Sequence, residues 1–188
     1  MLIIAISGLL FSECKKNEDN NSPQSRELIP LEVGNNWKWS RSYYWGNRNS
    51  DTTWTVLRDT MINGEKGYIA YGENWGGTQV FLNRSDGFYI GTWDYYMGGS
   101  GEFEIYLEWK YPVTIGEEFI SGRYGEKWKA VSTDVIKTVL GIDFECIDYI
   151  NGSGHHFYIA PSLGIIEYTY PNNNGSDRGF GLVDYTLN

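Results

Sequence analysis

The stretch Glu102-Phe-Glu-Ile-Tyr-Leu-Glu-Trp109 alternates polar and apolar residues without a break. Successive side chains of a strand point to opposite faces, so this spacing suits an extended chain with one wet and one covered face. No window of the chain shows the sustained apolar spacing at i, i+3, i+4 and i+7 that an amphipathic helix requires. The alternation recurs at Trp37 and Trp39 against Lys38 and Ser40, and at Ile142, Phe144 and Cys146 against Asp143 and Glu145. On this reading Phe103, Ile105, Leu107 and Trp109 face the core, while Glu102, Glu104, Tyr106 and Glu108 face water. Cys146 becomes a small core residue.

Turn signals cut these runs at short intervals: Asn63-Gly64, Gly76-Gly77, Asp86-Gly87, Gly98-Gly99, Asn151-Gly152 and Asn174-Gly175. Glycine stands at 23 of 188 residues, above the usual level of about 7%. The pattern predicts an all-β fold with little helix, an antiparallel meander of 11 to 12 strands. They fall near 35–44, 52–61, 66–72, 78–83, 87–95, 102–110, 117–121, 126–137, 141–150, 155–160, 164–170 and 179–186. Such a meander buries one face by curling into a barrel or half-barrel, or by splitting into a sandwich.

Two halves of this meander carry similar segments. Pro30-Leu-Glu-Val-Gly-Asn-Asn-Trp37 reads like Pro112-Val-Thr-Ile-Gly-Glu-Glu-Phe119. Val80-Phe-Leu82 with Gly87-Phe-Tyr89 reads like Phe157-Tyr-Ile159 with Gly164-Ile-Ile166, and Trp54 and Trp128 lie between the matched pairs. The order is that of two pseudo-repeats, 29–110 and 111–188, although any β-meander yields some such matches. Proline lacks the N–H that a central strand needs, so each Pro-x-x-x-Gly segment belongs at a strand start or edge.

The N-terminus sets the expected location. Residues 2–11, LIIAISGLLF, would span about 15 Å as a helix, half of a bilayer core. That is the length of a signal-peptide apolar region, although no Lys or Arg precedes it, so a start a few codons upstream is expected. Residues 1–13 therefore read as a signal peptide. The following Phe-Ser-Glu-Cys14 resembles a bacterial lipobox, which implies lipidation at Cys14. Glu13 departs from that pattern, since a small residue normally precedes the cysteine. Lys-Lys-Asn-Glu-Asp after Cys14 resembles the surface-export signal of bacteroidete-type lipoproteins. The polar stretch to residue 28 reads as a flexible tether, and 29–188 as a single β-domain.

Further motifs resemble a group of uncharacterised secreted bacterial lipoproteins. They are LIPLEVGNNWKW, YPVTIGEEF, TVLGIDFECIDY, FYIAPSLGIIEY and the closing GLVDY, which together cover residues 29–186. The resemblance implies a barrel or half-barrel like that of lipoprotein carriers. It implies no activity and no catalytic residues. The lipobox-like Cys14 and the export-like Lys-Lys-Asn-Glu-Asp imply a protein anchored in the outer membrane, facing the periplasm or the cell surface.

Composition narrows the partners. The chain has 24 Asp+Glu against 15 Lys+Arg, a formal charge of −9, with no basic cluster. A nucleic-acid partner is therefore not expected. The acids Glu102/Glu104 and Asp143/Glu145 share strand faces, but they alternate with an apolar face and read as solvated. A hydrolase whose carboxylates converge in a barrel cleft is the alternative. Adjacent His155 and His156 point to opposite faces, one into the sheet and one into solvent. No cofactor or metal site is expected; Asn172-Asn-Asn-Gly-Ser-Asp177 is a polar turn rather than a calcium loop. The remaining candidates are loop aromatics: Trp75, Trp93, Tyr95 and Tyr96 could stack on a glycan or grip a hydrophobic ligand, or simply cap the core. The overall expectation is a non-enzymatic envelope lipoprotein that binds a ligand or partner.

Overall fold

The computed structural model describes residues 27–42, 51–72, 77–93, 103–171 and 178–188. The signal peptide, Cys14, Trp75, Tyr95, Tyr96, Glu102 and the turn at 172–177 lie outside the described residues.

Every regular element among the described residues is a strand. In chain order they are β1 (Asn36–Ser42), β2 (Asp51–Ile62), β3 (Glu65–Gly72), β4 (Gly77–Arg84), β5 (Gly87–Trp93) and β6 (Phe103–Lys110). Then follow β7 (Glu118–Ser121), β8 (Glu126–Val139), β9 (Ile142–Asn151), β10 (His156–Ala160), β11 (Gly164–Tyr170) and β12 (Arg178–Thr186). They form one 12-stranded antiparallel sheet in the order β6-β5-β4-β3-β2-β1-β12-β11-β10-β9-β8-β7. Each half of the chain is a meander, and β1 pairs with β12 to join the halves. The sheet curls until β6 and β7 meet, giving a nearly closed barrel. The expected meander and its strand positions agree with this arrangement.

The inside is packed. Trp39 meets Trp54 edge-on at 5.2 Å between centroids, Trp54 meets Phe81 at 5.0 Å, and Phe81 meets Phe88 at 5.1 Å. On the other side Trp109, Trp128 and Phe157 form a triangle that continues through Tyr168 and Phe180 back to Trp39. Tilted and edge-to-face rings satisfy the aromatic quadrupoles while excluding water. Two of the indoles also find acceptors: Trp37 and Trp39 donate through Nε1 to the carbonyls of Leu163 and Ile165 at 2.7 and 2.9 Å.

One end of the barrel is plugged by the segment before β1. Leu28, Ile29 and Leu31 are buried, and Asn83 donates to the Ile29 carbonyl at 2.8 Å. Leu28, expected at the end of the tether, therefore belongs to the domain. The two Pro-x-x-x-Gly segments fold alike. Gly34 and Gly116 both take positive φ, 94° and 90°, a region where glycine carries no steric cost. Gly34 N–H donates to the Val56 carbonyl at 2.8 Å, and Gly116 N–H donates to the Ala130 carbonyl at 2.8 Å. Each glycine thereby fastens its turn to the second strand after it, β2 for Gly34 and β8 for Gly116.

The face assignment of β6 needs correction. Phe88 pairs with Trp109 and Tyr89 with Leu107, so Glu108 is the extra residue of a β-bulge. Phe103, Ile105 and Leu107 lie on the outer face. Tyr106, Glu108 and Trp109 face inward. The reason lies on β5: Gly87 and Gly91 leave bare backbone outside, over which Leu107 and the Phe103 ring settle. Apolar residues thus find cover without entering the core.

Candidate ligand cavity at the barrel seam

The sheet leaves one edge unpaired, between β6 and β7. An open edge exposes backbone groups that need partners. Here they are met singly rather than by a ladder. The carbonyl of Leu107 accepts from Gly122 N–H at 2.8 Å, that of Glu108 from the Ser121 hydroxyl at 2.6 Å, and that of Lys110 from the Tyr149 hydroxyl at 2.6 Å. The strands therefore touch along the seam but stand apart toward the end where β6 begins and β7 ends.

A cavity of about 710 Å³ occupies that gap. Its floor is aromatic: Trp109 packs against Trp128 at 5.2 Å and against Phe157 at 4.5 Å between centroids. Tyr106 and Glu108 line it from β6, and Thr92 and Trp93 from β5. Ser121, Arg123, Tyr124 and Glu126 close it from β7, β8 and the turn between them. Gly122 and Gly125 bound that turn with φ of 68° and 69°. A Cβ at Gly122 would stand in ordinary contact with Glu108 Oε2, at 3.6 Å, which places that carboxyl against the turn.

The charges are unevenly matched. Glu108 is half-buried, and its carboxyl lines the cavity, which gives solvent its access. Desolvation, reinforced by the nearby Glu126 carboxylate, pushes its pKa up to about 7. No hydrogen bond or ion pair reaches this carboxyl among the described residues. Glu126 is better provided, accepting from Trp128 Nε1 at 3.2 Å. The Arg123 guanidinium turns to Glu104, with Nε 3.9 Å from Oε2. Burial also raises the Tyr106 phenol to about 12, with the negative charge of Glu108 adding to it. Trp109 Nε1 is buried without an acceptor among the described residues. The cavity thus combines ring faces with an unmatched acid.

Of the expected ligand contacts, Trp93 lines this cavity and pairs with Phe103 at 4.8 Å, remaining 42% exposed. Trp75, Tyr95 and Tyr96 lie outside the described residues, in the segments leaving β3 and β5. Trp109, Trp128, Glu108, Glu126 and Arg123 were not anticipated as a group. The two glycines framing Arg123-Tyr124 were the available signal for a special turn. Nothing in the alternation marks the bulge that brings Glu108 inside.

Other candidates fall where their surroundings explain them. Asp143 and Glu145 are exposed on β9, and Asp143 accepts from the Thr138 hydroxyl at 2.6 Å. His155 and His156 face opposite ways as expected, but neither simply stands in solvent. His155 Nδ1 lies 2.9 Å from the Tyr168 hydroxyl, and His156 Nδ1 lies 2.8 Å from Asp148 Oδ1. Cys146 is fully buried and its thiol is pushed up to about 11 by burial, which removes it as a nucleophile at neutral pH. A smaller recess of about 340 Å³ is bridged by Lys137 and Glu167 at 2.6 Å. No group of three or more His, Cys, Asp or Glu is placed to hold a metal among the described residues.

No protein-family model matches the sequence, and no curated protein does. Among solved structures, the chain is similar to the crystal structure of a protein designated a lipoprotein from Parabacteroides distasonis, with a TM-score of 0.53. The match covers 86% of this chain and 99% of the other at 10% identity. At that identity the likeness is one of fold: this chain shares an all-β architecture with that protein along nearly its whole length.

Proposed function

We propose that the chain is a lipid-anchored cell-envelope protein whose barrel binds a small polar ligand in the seam cavity. The carrying observation is the cavity itself, with an aromatic floor and an acid that no described residue pairs. Aromatic floors favour ligands with a flat C–H face, such as sugar rings. A hydrophobic chain in the same place would leave the Glu108 carboxyl without a polar partner, a cost that a sugar hydroxyl avoids. Among the described residues the barrel interior is packed, with no continuous apolar lumen for a lipid. Between a glycan and a hydrophobe, the glycan is favoured. The lipobox-like Cys14 and the fold shared with a protein designated a lipoprotein support the anchor at the outer membrane, with the domain facing the periplasm or the cell surface.

Two measurements test this. Tryptophan fluorescence of the full chain, titrated with a panel of mono- and disaccharides, should show saturable change that Trp93→Ala weakens. A flat response to the whole panel would sink the binding role. For the anchor, Cys14→Ala should move the protein from the membrane fraction to the soluble fraction, and a mutant that stays in the membrane fraction would overturn it.

A second reading rests on Glu108 and Glu126 lining one cavity. A carboxyl whose pKa is raised to about 7, with a second carboxyl beside it, resembles the acid–base arrangement of glycoside hydrolysis. Release of free sugar from a bound disaccharide, lost in Glu108→Gln, would turn the binding protein into a hydrolase. Binding without release keeps the first reading.

A further inference from the structure

We infer that the seam cavity selects its ligand by a protonated amine, taken up by the Glu108 carboxylate above the Trp109, Trp128 and Phe157 rings. The inference rests on the binding role proposed above and specifies the ligand as an amino sugar rather than a neutral one.

Three observations on the cavity wall converge. The Glu108 carboxyl lines the cavity beside Gly122, is half-buried, and has no hydrogen bond or ion pair among the described residues. A buried acid is normally matched by a cation or by donors. The wall does contain a guanidinium, but Arg123 is directed to Glu104. Its charge does not figure among the influences on Glu108, whereas that of Glu126 does. Among the described residues the site therefore carries two carboxyls, and its guanidinium is placed toward Glu104 rather than Glu108. An ammonium entering the cavity would relieve their repulsion and restore the match.

The floor points the same way. Trp109 and Trp128 back the cavity with indole rings, only 1% and 4% exposed, and the half-buried Tyr106 and Phe157 add two rings that a cation can meet. Neutral hydroxyls gain less from such faces than ammonium does. The polar rim from Thr92 and Glu126 offers hydrogen-bond partners to ring hydroxyls, which a bare alkylammonium cannot use. An amine carried on a polyhydroxylated ring uses both parts of the wall. The overall charge of −9 favours the approach of a cation from solution.

The titratable and charged groups facing Glu108 are Tyr106 and Glu104 on its own strand and Glu126, Arg123 and Tyr124 across the seam. Of these only Arg123 opposes the negative sum. Pairing with an ammonium stabilises the carboxylate, so a proton still held by Glu108 leaves for the buffer on binding.

The experiment is isothermal titration of the full chain at pH 7 with D-glucosamine, D-glucose, N-acetyl-D-glucosamine and tetramethylammonium chloride. Two buffers of different ionisation enthalpy give the proton count. Glucosamine is expected to bind about tenfold or more tightly than glucose and N-acetylglucosamine, with proton release. Tetramethylammonium should bind more weakly than glucosamine. Glu108→Gln should abolish the preference and the proton release while retaining the wild-type circular dichroism. Glu126→Gln, at the exposed mouth, should reduce the preference in part, and serves if the first variant folds poorly. Equal affinity for glucosamine and glucose would overturn the amine inference while leaving the binding role standing. Tighter binding of tetramethylammonium than of glucosamine would overturn the amino-sugar assignment. Failure of all four ligands, and of the saccharide panel above, would remove the binding role itself.

Discussion

At the residue scale, the most consequential side chain is Glu108, because its burial works against the fold. An unfolded glutamate releases its proton near its ordinary pKa, 4.5, while Glu108 in the barrel holds on until about 7. A carboxyl with a raised folded pKa makes the folded state bind more protons across that window. Stability therefore falls as pH rises from about 4.5 to about 7 and stays reduced above it. The upper bound is about 3 kcal/mol, and solvent reaching the cavity lowers it to about 1–2 kcal/mol. Glu108→Gln keeps the shape and removes the charge. Melting curves of both proteins should coincide near pH 4.5 and diverge as pH rises, with the variant melting higher at pH 8. Curves that stay parallel would mean that Glu108 is not desolvated in the folded chain. A site that costs stability where it is empty is the signature expected of a group kept for binding rather than for folding. None of this was readable from the sequence, where Glu108 is one of several glutamates in a regular alternation. Its inward turn depends on a bulge and on glycines of the neighbouring strand, and so on pairing partners that one strand's pattern does not specify.

At the scale of elements, the strands and turns were legible because they rest on local chemistry. Asn63 takes φ of 51° and Gly64 of 85° at the β2–β3 turn, the conformation that an Asn-Gly pair favours between paired strands. The paired tryptophans at Trp37 and Trp39 gave the inward face of β1 correctly, since both are buried to 1% exposure. What was not legible were the irregularities in register at Trp39, Arg58, Tyr89, Ile159 and Ser132. Bulges arise where two strands accommodate each other, and they add the twist that closes the sheet. Strand β12 offers a test of how tightly such closure is packed. A Cβ at Gly179 would overlap the Tyr168 carbonyl on β11, whereas one at Gly181 meets nothing within 4 Å. Gly179→Ala must push two paired backbones apart and should cost about 3 kcal/mol or more. Gly181→Ala should lie within about 1 kcal/mol of wild type, on the stabilising side because alanine orders the unfolded chain less expensively. Urea midpoints compare them directly. Similar losses for the two variants would show that the β11–β12 contact yields easily.

For the whole molecule, the strand order sets the two halves head to tail around one barrel, β1–β6 and β7–β12. The halves meet twice, and the two junctions are built differently. At the first, β1 pairs with β12 from Asn36–Thr186 to Ser42–Gly179. At the second, β6 is joined to Ser121 of β7 and to Gly122 just after it by scattered bonds, and Tyr149 of β9 reaches the Lys110 carbonyl. We propose that the two halves are pseudo-repeats, since Gly34 and Gly116 make the same turn to corresponding strands, and that the second junction diverged to hold a cavity. Local opening follows the weakest pairing, so the barrel should open at β6–β7 before it opens at β1–β12. Hydrogen exchange followed by mass spectrometry resolves this. Peptides covering Phe103–Lys110 and Glu118–Ser121 should exchange about tenfold or more faster than those covering Asn36–Ser42 and Arg178–Thr186. A ligand lodged in the cavity bridges both sides of the weak junction, so saturating glucosamine should slow the first pair of peptides and leave the second unchanged. Equal exchange at both junctions would mean that the scattered bonds hold as firmly as a ladder. Slowing spread evenly over all twelve strands would mean that the ligand stabilises the fold without sitting at the seam.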